Sequence, residues 1–165
     1  MKTLLLMRHA KSSWKTPDIS DFDRPLNDRG LQAAPFMGKW IKENDLTPGF
    51  VLCSSALRAQ TTAQLVADGC GFADPISPTK GLYLTQYPDY VAEIKKVKSD
   101  ADTLLLVAHN PTMEDFLGKL TYEYRMFKTA TLAKIILPID SWKKININTT
   151  GEFAGIWYVK DLQEG

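Results

Sequence analysis

An α/β fold, a three-layer sandwich with a mainly parallel central sheet flanked by helices, is predicted by three observations. Apolar runs of strand length alternate with segments of helical period over most of the 165 residues. Two of those runs share one shape, LLLMRH closing at His9 and LLLVAH closing at His109, and they hold the only two histidines of the chain. The last third changes character and becomes rich in β-branched and aromatic residues, the composition of strands. Continuous apolar runs, rather than alternating ones, indicate strands covered on both faces, as a parallel sheet between helices requires.

Each element follows from local pattern. Thr3 to Met7 reads as the first strand, and the polar segment RHAKSSWKTPDISDFDRPLNDRG after it is long enough to be a functional loop. Asn27 caps a helix in which Leu31, Ala34, Met37 and Ile41 recur on one face, with Asp28 at the positive end of its dipole. Pro35 removes a backbone donor inside that helix and predicts a kink or a late true start. Phe50 to Cys53 reads as the second strand, and Ser54 or Ser55 is placed to cap a helix over Leu57 to Asp68. The stretch from Gly71 to Tyr87 reads as loop with one short strand around Gly81 to Leu84, followed by a helix over Asp89 to Lys98. Thr103 to Ala108 is the clearest strand of the chain, and Pro111 and Thr112 open a helix striped by Met113, Phe116, Leu117 and Leu120. Leu132 to Leu137 and Glu152 to Val159 read as late strands forming a hairpin-like pair.

Composition bounds the function. A chain of 165 residues and 18.5 kDa suits a single domain spanning 1–165. With 20 basic and 19 acidic residues and no dense basic run, it lacks the clustered footprint that nucleic acid requires. The apolar stretch at the N-terminus stops at Met7 before Arg8, too short for a signal peptide, and no segment has the length of a membrane span. Cys53 and Cys70 are too few for a disulfide framework, so reduced thiols and a cytoplasmic location are expected.

The chemistry-bearing residues suit phosphoryl transfer. Strand ends at the carboxyl edge of an open sheet are where ligands bind, so His9 and His109 are expected to meet there. A neutral imidazole is a competent nucleophile towards phosphorus, which selects His9 for that role. Arg8 and Arg58 offer planar, permanently charged forks matched to phosphate oxygens, and His109 can donate to the charge that develops. Arg58 lies in a helical first turn, where the dipole disfavours a cation unless an anion sits between.

The segments LLLMRHA, DFDRPLNDRG, VLCSSALRAQTTAQLV and LLLVAHNPTMEDFLGKL together resemble the histidine phosphatase superfamily, most closely its SixA-like phosphohistidine phosphatases. The resemblance implies a phosphoglycerate-mutase-like α/β sandwich with no metal or other cofactor. It makes His9 the phosphorylated nucleophile, Arg8 and Arg58 the phosphate clamps and His109 the second histidine of the pocket. Lys11, Arg24 and Asn110 adjoin the matching motifs and are expected to bind substrate at the rim.

The resemblance also implies a phosphorylated partner, either phosphohistidine on a protein or a small phosphorylated molecule. Larger members carry an acid that protonates a leaving alkoxide, whereas the corresponding region here, GLYLTQYPDYVAEI, has Gln86. Asp18, Asp21, Asp23, Asp89 and Glu93 are the carboxylates that could replace it. An acid-poor site favours phosphohistidine, whose protonated ring is a good leaving group. The alternatives are a phosphatase of small monoesters and a non-catalytic phosphate- or phosphopeptide-binding module.

Overall fold

A computed structural model describes all 165 residues. Six strands, β1 (Lys2–Arg8), β2 (Phe50–Ser54), β3 (Ser77–Thr79), β4 (Thr103–Ala108), β5 (Leu132–Leu137) and β6 (Glu152–Trp157), form one sheet in the order β3-β2-β4-β1-β5-β6. The first four strands in that order run parallel, and β5 and β6 add an antiparallel half. The helices are α1 (Asp28–Glu43), α2 (Leu57–Cys70), α3 (Tyr87–Lys95), α4 (Thr112–Thr121) and α5 (Val159–Glu164).

Strand periodicity divides the core into two layers. Leu5, Met7, Val51, Cys53, Leu105 and Val107 face α1 and α2, while Leu4, Leu6, Leu52, Leu104 and Leu106 face α3 and α4. Both faces are dry, which is why these strands read as unbroken apolar runs. Cys53 and Cys70 are unpaired and buried, and burial pushes the Cys53 thiol up to about 12. No helix is long and apolar enough to cross a membrane.

Several local expectations are corrected. α1 begins at Asp28 and runs through Pro35, so there is no late start. Ala34, Met37 and Ile41 are fully buried in the layer facing α2, and that packing outweighs one missing hydrogen bond. The N-cap of α2 is Ala56, with no side-chain cap, because the Ser54 hydroxyl is engaged elsewhere and Ser55 Oγ finds no partner. The short strand of the middle segment is Ser77–Thr79, added in parallel beside β2, and Lys80–Leu82 forms a 3₁₀ turn instead. α3 starts at Tyr87 through a capping box between Gln86 and Asp89. The last strand stops at Trp157, and α5 follows with Val159 and Leu162 packed on the α1 layer.

Candidate active site

Three parallel strands end at one edge. β1 delivers Arg8 and His9, β2 delivers Ser54 with Arg58 in the first turn of α2, and β4 delivers His109. β1 keeps its pairing through Arg8 opposite Ala108, and the chain turns only afterwards. The turn is pinned from both sides: His9 N donates to the Ala108 carbonyl (3.0 Å), and Ala10 N donates to Thr62 Oγ1 (3.0 Å). Ala130, with a left-handed φ of 60°, directs its N–H at the carbonyls of both Arg8 and His9. The close approach at Gly30 explains the Asp-Arg-Gly sequence, because any Cβ there would overlap the Lys11 backbone.

These residues line a cavity of about 430 Å³ that brings together Arg8, His9, Lys11, Arg24, Arg58, His109 and Asn110, with Ser12, Asp21 and Tyr83 in the same wall. The two imidazole centroids are 5.2 Å apart. His9 Nδ1–H donates to the Ala10 carbonyl at 2.8 Å, and a carbonyl only accepts, so the lone pair of the neutral ring sits on Nε2. Burial, opposed by the Ala10 hydrogen bond and reinforced by the charges of Arg58, Arg8 and Arg24, lowers the His9 pKa to about 4. His109 falls to about 3, first through burial and then through His9 and Arg58. Both rings are therefore neutral at pH 7.

Ser54 orders the second ring. Its oxygen accepts from Ala56 N (3.2 Å), and its proton has His109 Nε2 within reach at 2.8 Å. That assignment leaves the His109 proton on Nδ1, a buried atom with no protein partner.

Asp21 is the only carboxylate in the cavity wall, and it is fully engaged. Arg58 donates to its carbonyl and to Oδ2 (3.0 Å), Arg24 Nε donates to Oδ1 (3.1 Å), and Tyr83 donates to Oδ2 (2.7 Å). Partial burial raises its pKa, but hydrogen bonds from Tyr83, Arg58 and Arg24 outweigh this and bring it to about 2. No group of three or more His, Cys, Asp and Glu side chains gathers with metal-holding geometry.

Residues 4–91 match the profile of the histidine phosphatase superfamily (branch 1), slightly more than half of the chain. The chain belongs to the histidine phosphatase superfamily. By that membership it is an enzyme of the phosphatase class. An uncharacterized protein of Mycobacterium leprae is 38% identical over 118 residues, 70% of this chain and 71% of that one. Among solved structures, the protein histidine phosphatase SixA in complex with tungstate superposes with a TM-score of 0.81 at 21% identity, covering 97% of this chain and 99% of that one. A protein of Nakamurella multipartitia provisionally described as the phosphohistidine phosphatase SixA has the same TM-score at 25% identity, over 95% of both chains.

In this histidine phosphatase the residues singled out from sequence converge, with different degrees of freedom. Lys11 is exposed and makes no side-chain hydrogen bond, whereas Arg24 is buried beneath Trp14, 3.5 Å from its ring centroid, and is spent on Asp21 and Ser12. Asn110 uses its amide donors on Glu114 Oε2 and the Phe127 carbonyl, both at 2.9 Å, so it braces the wall. Of the alternative acids, Asp89 caps α3, Asp23 is held by Ser20, and Asp18 and Glu93 do not line the cavity. Sequence reasoning missed Ser54, Thr62, Tyr83 and Glu114 as members of the site. The Ser-Ser and Thr-Thr pairs flanking Arg58 were a signal, since hydroxyls next to a strand end have backbone and imidazole partners nearby.

Proposed function

We propose that the chain removes a phosphoryl group from phosphohistidine on a protein, through a covalent intermediate on His9. His9 Nε2 attacks phosphorus while the P–N bond of the substrate breaks, and the substrate imidazole leaves neutral, having carried its own proton on the other ring nitrogen. Arg8 and Arg58 hold the equatorial oxygens, and His109, which lines the same cavity and whose Nδ1 has no protein partner, supports the charge on the moving phosphoryl group. Water then attacks phosphorus and releases phosphate, returning His9 to its neutral form.

The observation that carries this choice is the state of Asp21. A phosphate monoester of an alcohol needs a proton donor for its alkoxide, and the one carboxyl of the cavity is held ionised by two arginines and a tyrosine. A phosphoramidate has no such need. Lys11 lines the cavity with no side-chain hydrogen bond of its own, which supports a role in binding substrate at the rim, while the bonds of Arg24 and Asn110 support bracing of Asp21 and the cavity wall.

A leaving-group series tests the reading. Turnover should fall steeply from phosphoramidates through aryl to alkyl phosphates, and rapid acid-free quenching should trap an acid-labile phosphoryl group that disappears in His9→Ala. A rate indifferent to the leaving group would place a working general acid in the site and return the enzyme to the monoester class.

A further inference from the structure

A second cavity of about 480 Å³ adjoins the first, sharing Lys11 and Thr129 with it. Its walls come from the turn after β1 (Lys11), the start of α1 (Arg29, Gln32, Ala33), the segment before β5 (Lys128, Thr129) and the end of the chain (Tyr158, Val159, Lys160, Gln163). Four cations line it and no carboxylate does. All four are exposed, and none of Lys11, Arg29, Lys128 and Lys160 takes part in the seven ion pairs or in any side-chain hydrogen bond of the structure; the one partner among them is the Tyr158 ring, whose centroid lies 5.7 Å from Lys128 Nζ. That asymmetry stands in a chain whose charges otherwise nearly cancel, 20 basic against 19 acidic.

Like charges that no carboxylate neutralises, gathered around one groove, raise the local positive potential, which an anionic surface would relieve and follow inward. We propose that this groove docks an acidic stretch of the protein that presents the phosphorylated side chain to His9. The proposal rests on the phosphohistidine-protein reading and specifies which partner surface meets the enzyme. The phosphoryl group itself has its own clamp in Arg8 and Arg58, so the groove is left for a different part of the substrate. Its volume far exceeds that of a single oxyanion, and its cations come from four separate segments of chain, which suits several carboxylates rather than one. Apolar patches from Ala33, Val159 and the Tyr158 ring, held by a hydrogen bond from its hydroxyl to the Met126 carbonyl (2.8 Å), suit the stems of an acidic polypeptide. A nucleic acid would need stacking surfaces in series, and Tyr158 is the single aromatic residue here.

Two measurements on the full chain decide the matter, with Lys128→Gln combined with Lys160→Gln and with Arg29→Gln alone. Fluorescence anisotropy follows a labelled, unphosphorylated peptide rich in Asp and Glu against one of the same length in Ser and Gln. The acidic peptide should bind the unaltered protein, lose about tenfold in affinity in the double variant and weaken in high salt, while the neutral peptide stays unbound. In turnover, KM for an acid-flanked phosphohistidine peptide should rise about tenfold with kcat unchanged, and an aryl phosphate should keep both constants. Equal loss for peptide and aryl phosphate, equal KM for acidic and neutral flanks, or a response confined to RNA or to a small bisphosphate would each overturn the docking role. Should the acidic peptide bind through these lysines while no phosphohistidine peptide is hydrolysed, the groove stands and the phosphohistidine reading falls.

Discussion

Two buried neutral imidazoles at the end of a sheet predict an unusual titration. An ordinary histidine with a pKa of 6.5 would be about 97% protonated at pH 5, whereas His9 at about 4 would be only about 10% protonated, and His109 at about 3 still less. The cause is burial, with His9 only 7% exposed and flanked by fixed positive charge. The sign for stability follows directly. The unfolded chain takes up a proton near pH 6.5 and the folded one does so only near 4, so native stability is full above 6.5 and is lost as pH falls towards 4. For His9 the gap corresponds to about 3 kcal/mol, and His109 acts in the same direction down to about pH 3.

Because the chain has only two histidines, long-range ¹H–¹⁵N NMR of the imidazoles reads both rings without ambiguity. Both should remain neutral at pH 5, His9 with its proton on Nδ1, while the urea midpoint drops between pH 7 and pH 4.5. His9→Gln and His109→Gln should each flatten that pH dependence. A midpoint near 6.5 for either ring, or a His9 proton on Nε2, would refute the account of a preformed neutral nucleophile.

Three further substitutions separate positioning from chemistry. Ser54→Ala removes the hydroxyl that faces His109 Nε2, and kcat should fall about fivefold with KM nearly unchanged, the worth of one hydrogen bond of about 1 kcal/mol. Thr62→Val leaves the buried Ala10 N–H without its acceptor, so a loss of about 1–3 kcal/mol is expected in chemical denaturation, together with reduced turnover. Gly30→Ala drives a methyl into the Lys11 carbonyl, and the cost of about 1–3 kcal/mol should appear as a lower thermal midpoint and a disturbed turn after His9. If the alanine variant matched the unaltered protein in both, the close packing of α1 on that turn would be disproved.

Most of the fold was legible locally. Strand runs and helical stripes depend on which side chains repeat along the chain, so β1, β2, β4, β5 and α2 were placed within a residue or two. That Arg8, His9, Arg58 and His109 would come together in one cavity was legible for a related reason, since the end of an apolar run marks the sheet edge where ligands gather. Boundaries were less readable where packing competes with propensity. Pro35 argues against a continuous helix, yet a fully buried apolar face keeps α1 intact.

By itself the sequence determined the periodicities, the apolar layers and the position of each reactive side chain relative to its own strand. Tertiary structure alone decided which distant groups meet: Asp21 with Arg58 across 37 residues, Ala10 with Thr62 across 52, and Ser54 with His109 across 55. The reason is that a hydrogen bond or ion pair is set by distance and direction in space, and those exist only once the strands stand side by side. Asp21 shows the consequence. In sequence it was one of several carboxylates able to supply a proton, and folding placed two arginines and a tyrosine on it, which fixes it as an anion.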